Sequence, residues 1–308
     1  MTNNYRPKNF KEFVGKDSLK TQLKTFIEAA KIKKQSLPHI LFYGPPGVGK
    51  TTLANIIANS LNSKLKIIQA TNIEKISELL NIFSLINKND IIFIDEIHAL
   101  DQKLIEFLFP IMEDFSVDVV IGKEFNSKIT RMKIPEFTLI GATTYYGKII
   151  NPFEERFGIV INIDYYSLNE IKELIKNINN NLKLNLTDKE IEIISNNCKF
   201  TPRLAIRLIK QIYDYRIIHP KISIFKILKE LNINDLGITN QDIQYLQTLK
   251  NNGTLGLKSL SLINNLDSQT IETKIEPPLI KLNLIEKTIK GRKISNIGLK
   301  YLEKINNN

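Results

Sequence analysis

Short apolar runs alternate with stretches of helical periodicity through the first half of the chain. His39-Ile40-Leu41-Phe42-Tyr43 is an apolar run that ends in a Gly/Pro-rich loop. Ile91-Ile92-Phe93-Ile94 is continuous and apolar, the pattern of a strand buried on both faces, and Phe137-Thr138-Leu139-Ile140-Gly141 reads the same way. Lys66 to Ala70 is a further candidate strand. Between these runs, apolar residues fall at helical spacing from Thr51 to Leu61, Ile73 to Ile86 and Leu104 to Met112. Strands spaced by helices predict right-handed βαβ units and a parallel sheet. One segment breaks the alternation: Val117 to Gly122 and Lys128 to Ile134 read as two strands of an inserted β-hairpin.

The second half changes period. Leu168 to Leu182, Asp188 to Cys198, Pro202 to Tyr215 and Ile222 to Leu231 are helical by spacing, which predicts a small all-α domain. From Thr239 three short helical segments run to Glu276-Pro277-Pro278. Two strands follow, Leu282 to Thr288 and Arg292 to Ile297, joined through Lys290-Gly291. Helices followed by a hairpin resemble a winged helix. The expected division is 1–166 for an α/β parallel-sheet domain, 167–238 for a helical domain and 239–308 for the winged helix. The Asn306-Asn307-Asn308 tail is expected to be disordered.

Composition narrows the class. The 308 residues carry 43 Lys and Arg against 32 Asp and Glu, a formal charge of +11. That excess suits a polyanionic partner such as nucleic acid, although the same lysines are also explained as solvated surface. A single cysteine, Cys198, excludes an internal disulfide and fits a reducing compartment, and with three His it cannot build the usual zinc clusters. The N-terminal residues lack the apolar run of a signal peptide, and no stretch approaches the length of a membrane span. A soluble, cytoplasmic protein without membrane contacts is expected.

The chemistry lies in two motifs. Gly44-Pro45-Pro46-Gly47-Val48-Gly49-Lys50-Thr51 fits the phosphate-loop pattern, preceded by a strand and followed by a helix. Gly44, Gly47 and Gly49 let backbone N–H groups approach phosphates closely. Lys50 reaches the outer phosphates, the Thr51 hydroxyl is placed for Mg²⁺, and the helix N-terminus favours negative charge. The alternative is a Gly/Pro-rich surface turn. The second motif is Asp95-Glu96, delivered at the end of a buried strand, where open α/β sheets place their ligands. Asp95 is expected to hold Mg²⁺ through water, and Glu96 to orient the attacking water of ATP hydrolysis. Alone, such an acidic pair is equally explained as a helix N-cap.

With both motifs in this order the chain resembles the AAA+ ATPases. Gly141-Ala142-Thr143-Thr144 resembles their polar sensor, placing Thr144 near the lytic water. Arg156-Phe157-Gly158-Ile159 resembles their arginine-finger segment, and Thr201-Pro202-Arg203-Leu204-Ala205 a second sensor in which Arg203 contacts nucleotide. For Arg203 the plainer reading is a surface Arg behind a Pro at the first helical position. Met112-Glu113-Asp114-Phe115, the hairpin, and Lys287-Thr288-Ile289-Lys290-Gly291-Arg292 extend the likeness to the RuvB family of Holliday-junction branch-migration motors, over nearly the whole chain.

That resemblance implies a hexameric ring around duplex DNA, working on Holliday-junction DNA with RuvA and with the RuvC resolvase as a further partner. Each ATP would sit between subunits, so Arg156 would act on a neighbour's nucleotide. The resemblance places adenine and ribose contacts on Tyr5, Arg6, Glu113, Asp114, Phe115 and Tyr166. It places phosphate contacts on the loop through Thr51 and Thr52, with the γ-phosphate met by Lys50, Arg156 and Arg203. DNA would be gripped at the wing by Lys287 and Arg292, and Lys290 joins them at the predicted turn. Ile129 and Met132, apolar within a basic stretch, are expected to dock RuvA. The chain departs from the family pattern at Tyr145 and Glu154, where Arg is usual, at Tyr5, at Gln69-Ala70-Thr71, and at Lys287, where charge is kept without the Arg fork.

Two other functions fit parts of this pattern. A clamp-loader subunit shares the ATPase motifs but ends in a helical collar, not a winged helix. An ATP-dependent DNA-binding switch needs a base-reading helix, and Ser268 to Glu276 offers only Lys274 as a base beside two Glu.

Overall fold

The structure is a computed structural model that describes residues 6–121 and 128–306. Residues 1–5 with Tyr5, residues 122–127 with Gly122, and Asn307-Asn308 lie outside the described residues. The chain divides between Tyr165 and Tyr166 into two units.

The first unit is built on strands β1 (Ile40–Tyr43), β2 (Leu65–Gln69), β3 (Ile91–Asp95), β6 (Thr138–Thr143) and β7 (Ile159–Asn162), all parallel, in the order β2-β3-β6-β1-β7. β1, β3 and β6 occupy the middle, and their apolar residues are buried on both faces. That is why they read as continuous apolar runs. At the edges, β2 has exposed positions and β7 alternates buried with exposed residues. β7 follows the expected finger segment, sharing only Ile159 with it, and the sequence reading does not predict it.

Helix Asp17–Lys33 is a second element that the sequence reading does not predict, although Leu19, Leu23, Ile27 and Ala30 bury one helical stripe. Helix Lys50–Leu61 follows the phosphate loop as expected. The helix expected over Ile73 to Ile86 is shorter, Ile76–Phe83, preceded by a 3₁₀ turn at Ala70–Asn72. Helix Gln102–Glu113 leads into the antiparallel hairpin β4 (Ser116–Ile121) and β5 (Lys128–Lys133), in register Val117↔Met132 and Asp118↔Arg131.

The second unit begins with helices Leu168–Leu182, Asp188–Asn196, Pro202–Ile218 and Ile224–Glu230. Capping boxes at Ser167/Glu170 and Thr187/Glu190 start the first two. The same unit continues through Asn240–Asn252, Leu257–Asn264 and a composite helix from Ser268–Thr270 through Ile271–Ile275 to Glu276–Lys281. The middle piece is a π-turn. Pro277 and Pro278, which lack N–H donors, follow it directly, so the widened turn absorbs a break in the helical ladder instead of ending the helix.

The wing is β8 (Ile285–Thr288) against β9 (Gly291–Ile294). Three expectations fail here. The first strand starts at Ile285 instead of Leu282, the last strand stops at Ile294 instead of Ile297, and Asn296–Asn306 is a helix, so Asn306 is not part of a disordered tail. Tyr301 and Leu302 of that helix bury into the core formed by Tyr245, Leu246, Leu249, Leu260, Ile271 and Leu279. Helical spacing of buried residues outweighs the polar Asn-rich ending. Among the described residues no helix is long and apolar enough to cross a membrane.

Candidate nucleotide site

At the carboxyl edge of the sheet, β1 runs straight into the phosphate loop. Gly44 has φ 143°, and a Cβ built there would lie 2.1 Å from the carbonyl oxygen of Ile163. Gly49, at the N-cap of helix Lys50–Leu61, has φ 111°. Both positions require glycine, one by space and one by backbone conformation. Lys50 is 7% exposed, and its Nζ donates to the carbonyls of Gly44 (2.7 Å) and Pro45 (3.0 Å), so it arches over the loop. Thr51 and Thr52 open the helix, and Arg6 Nε donates to Thr52 Oγ1 at 3.3 Å. This brings the N-terminal segment onto the same helix end. Burial lowers the Arg6 pKa from its ordinary value.

Asp95 ends β3 opposite Gln69 of β2, whose Nε2 donates to Asp95 Oδ2 at 3.3 Å. The departure at Gln69 therefore contacts the carboxylate expected to serve the metal. Glu96 leaves the strand with φ 49°, a left-handed conformation that costs a non-Gly residue about 1 kcal/mol or more. Here the twist turns its carboxylate toward the neighbouring strand. Glu96 Oε2 accepts from Thr144 N (3.1 Å) and Thr144 Oγ1 (2.9 Å). His98 Nδ1 lies 3.3 Å from that oxygen and 3.0 Å from Thr143 Oγ1, which itself accepts from Tyr145 N. Burial lowers the His98 pKa, working against the nearby Glu96 charge, and favours the neutral imidazole. Tyr145 packs edge-on to His98 and carries the Lys148 ammonium 4.7 Å from its ring centroid. The aromatic that replaces the usual Arg thus recruits a cation from three residues away.

Arg156 is elsewhere. Parallel pairing puts Ile40 beside Ile159, so residues just before β1 and β7 share the amino edge of the sheet. Arg156 precedes β7 there, while the phosphate loop leaves β1 at the opposite edge. A four-residue strand separates them by roughly 13 Å. Glu113, Asp114 and Phe115 are at the amino edge too: His39, just before β1, bonds the Met112 carbonyl, and Phe115 packs on His39 and Phe137. Arg156 lies 3.8 Å over the Phe109 ring, pairs with Glu113 Oε1 at 3.2 Å and donates to the Pro152 carbonyl. Glu154 accepts from the Tyr146 hydroxyl, which stacks on Tyr43, and that bond pushes the Tyr146 pKa up to about 12.

One chain therefore gathers Gly44, Gly47, Gly49, Lys50, Thr51, Thr52, Asp95, Glu96, Thr144 and Arg6 at one edge. Arg156 and Glu113 to Phe115 stand at the other. Tyr166 and Arg203 belong to the second unit: Tyr166 is buried and its N–H bonds the Phe200 carbonyl, while Arg203 is exposed in the first turn of helix Pro202–Ile218. Tyr5 lies outside the described residues.

Two of the residues expected to make surface contacts lie against the body of the protein in this structure. Arg292 does not point outward. Its Nε donates to Glu276 Oε1 at 2.8 Å and its Nη2 to Glu272 Oε1 at 3.1 Å, and its side chain is 15% exposed. Glu276 is fully buried, so a cation is required beside it, and Lys287 supplies a second at 2.6 Å. Lys290, at the hairpin turn, is exposed. In the inserted hairpin the two expected docking residues split. Ile129 is 75% exposed on the face of the Asp118–Arg131 ion pair, but Met132 packs on the core with Val117 and Val119. Strand alternation puts Met132 inward and residues 129 and 131 outward. Sequence reasoning missed His39, whose apolar neighbours masked it.

A phosphate loop on a β2-β3-β6-β1-β7 sheet, an Asp-Glu pair with a sensing Thr, a helical lid and a winged helix define an AAA+ nucleotide-binding ATPase. The comparisons agree in detail. Residues 5–163 match the Holliday junction DNA helicase RuvB P-loop domain, residues 166–238 the RuvB AAA lid domain, and residues 235–303 the RuvB C-terminal winged helix domain. The chain is 49% identical to the Holliday junction branch migration complex subunit RuvB of Mycoplasma genitalium, covering 96% of this chain and 97% of that one. The same subunit of Rickettsia africae is 37% identical, over 97% and 90%. The solved Holliday junction branch migration motor RuvB of Thermotoga maritima superposes with a TM-score of 0.87 at 32% identity, over 97% and 98%. The chain belongs to the RuvB family.

Proposed function

We propose that this chain is the ATP-driven motor of Holliday-junction branch migration in recombination and repair, working as a hexameric ring on duplex DNA with RuvA and handing junctions to RuvC in the cytoplasm. The observation that carries the ring is the separation of Arg156 from the phosphate loop across the sheet. A site that needs both must be completed by a second subunit whose amino edge faces the first subunit's loop. Glu113, Asp114 and Phe115 share that edge and would meet the neighbour's nucleotide, whereas Arg6 would serve the chain's own. Tyr5, Tyr166 and Arg203 are assigned to the nucleotide on the resemblance alone.

The donor set fits a nucleoside triphosphate with Mg²⁺. Gly44, Gly47 and Gly49 hold the loop at positive φ, a backbone conformation suited to presenting N–H groups to phosphate oxygens. The Thr51 hydroxyl and Asp95 are hard oxygen donors suited to Mg²⁺, which supplies neutralisation of phosphate charge. Lys50 neutralises the outer phosphates, and Glu96, held by Thr144, orients the attacking water. The working division is an ATPase domain over 1–166, a lid over 167–238 and a winged-helix head over 239–308. Lys290, with Lys287 beside it, would grip DNA phosphates, and Ile129 would dock RuvA.

Electron microscopy on duplex DNA with a non-hydrolysable ATP analogue tests the assignment. Six-fold rings threaded by DNA are expected. Monomers on DNA, or no junction migration when RuvA and ATP are added, would refute it.

A further inference from the structure

The five residues from Asn197 to Thr201 join helix Asp188–Asn196 to the helix that carries Arg203. Within them Lys199 and Phe200 both have positive φ, 48° and 57°. Consecutive left-handed, non-glycine residues are held only where surroundings over-determine them. Here the surroundings are the winged helix.

Lys199 Nζ donates to Asp242 Oδ2 at 2.5 Å. Asp242 is fully buried, and the same oxygen accepts from Thr239 N and Oγ1, so the lysine is bonded into the capping box that starts helix Asn240–Asn252. Asn197 Oδ1 accepts from Gly237 N at 3.0 Å, and a Cβ at Gly237 would come within 2.7 Å of the Asn197 carbonyl oxygen. Phe200 presents its ring to Lys281, 5.7 Å from the centroid, and Lys281 ends the short helix that begins at Glu276, the partner of wing residues Lys287 and Arg292. On its other side, the Phe200 carbonyl accepts from Tyr166 N at 3.0 Å.

One short loop is thus bonded at once to Tyr166, to the start of the Arg203 helix, to the first winged-helix helix and to the element behind the wing. We propose that Lys199 is a positioning residue of the motor: through Asp242 it locks lid and winged helix into one lever, so that a nucleotide-driven lid displacement becomes a displacement of the DNA grip. This rests on the motor reading and adds the residue pair that couples chemistry to movement. Charge suits the task. A buried carboxylate bound to one lysine has a deep, narrow preference for a single arrangement, whereas an apolar contact would slide.

The test separates coupling from folding. In the full-length protein with RuvA, Lys199→Met, Asp242→Asn, the double variant and Lys199→Arg are compared for DNA-free ATPase, junction migration and thermal unfolding. Lys199→Met is expected to keep DNA-free ATPase within about twofold. Junction migration should fall on the order of tenfold, so that more ATP is spent per base pair moved. Lys199→Arg, which keeps the charge, should recover most of it. The double variant removes both charges and should fold well without recovering migration. Normal ATP use per base pair in Lys199→Met overturns the proposal. So does full migration in the double variant, or a loss of ATPase and migration in equal proportion that tracks lower thermal stability. If the unmodified protein itself moved no junctions, the motor reading would fail instead.

Discussion

Glu96 and Thr144, on neighbouring strands β3 and β6, share two hydrogen bonds to one carboxylate oxygen, at 3.1 Å from the Thr144 amide and 2.9 Å from its hydroxyl. Thr144 therefore directly holds the carboxylate that we propose orients the attacking water. With the amide alone, the carboxylate keeps one anchor and gains freedom to rotate.

It follows that the two positions should fail differently. Glu96→Gln should bind ATP normally and hydrolyse it about 10²-fold or more slowly, because no base remains to orient water. Thr144→Val keeps the amide anchor and should lose roughly tenfold in turnover, with nucleotide affinity unchanged. Lys50→Ala should lose nucleotide binding itself. Steady-state ATPase and fluorescent-nucleotide titration distinguish the three. Near-normal turnover in Glu96→Gln would remove Glu96 from the mechanism.

Arg156 should act across a subunit boundary. Arg156→Ala is expected to keep nucleotide affinity and lose on the order of 10³-fold in hydrolysis. Mixed with Lys50→Ala, it should regain activity, because hybrid interfaces combine an intact loop with an intact Arg156. Glu113 is more than half exposed, so losing its partner should leave the fold intact. Absence of rescue at every mixing ratio would place Arg156 within its own subunit's chemistry or in a purely structural role.

Much of this was legible in the sequence, for identifiable reasons. Phosphate loops are readable because Gly44, Gly49, Lys50 and Thr51 each meet a local requirement at fixed spacing. Central strands are readable because burial on both faces makes Ile91 to Ile94 uniformly apolar. The edge strand Ile159–Asn162 is short and half exposed, so it left no such run. Which cations are free was not legible. Arg292 and Lys290 look alike in a basic hairpin, and only the fold brings the buried Glu276 beneath one of them. The division of Ile129 from Met132 was present in strand alternation, but depended on which face met the core.

His39 makes stability depend on pH. Its Nδ1 accepts from the Leu139 amide at 2.9 Å, so Nε2 carries the proton and donates to the Met112 carbonyl at 3.0 Å. Protonating Nδ1 would turn that acceptor into a second donor. Burial, partly offset by the Met112 bond, lowers the pKa from 6.5 to about 4. The unfolded chain therefore binds the proton more readily between these values. The stabilisation is full above about pH 6.5 and is lost as pH falls toward 4, with about 2 kcal/mol gone by pH 5. Urea unfolding of the ATPase unit, followed by circular dichroism at pH 7 and 5, should show it. His39→Gln, which can accept and donate without titrating, should flatten the difference. An unchanged pH dependence in that variant would assign the effect to other groups.

The wing should separate folding from DNA grip. Arg292 neutralises the buried Glu276, whose Oε1 also accepts from the Tyr245 hydroxyl at 2.9 Å. Desolvation by burial lowers the Arg292 pKa, but the Glu276 hydrogen bond and the charges of Glu276, Tyr245 and Glu272 together outweigh it and raise the pKa. Arg292→Ala leaves that carboxylate with Lys287 as its remaining cation, and should cost about 3 kcal/mol in the winged helix. Any loss of DNA binding would then follow the loss of fold. Arg292→Met with Glu276→Leu removes both charges together and should recover stability and most duplex affinity. Lys290→Ala is the contrasting case. Its side chain is exposed at the hairpin turn, where a translocating motor would hold phosphates without reading bases. It should leave melting unchanged, weaken duplex binding equally on unrelated sequences, and lower the salt slope by roughly 0.9 for each phosphate the lysine had neutralised. DNA-free ATPase should persist in both. If Lys290→Ala binds duplex normally while the repaired Arg292→Met, Glu276→Leu double variant does not, Arg292 leaves its carboxylate to meet DNA and the grip belongs to the guanidinium.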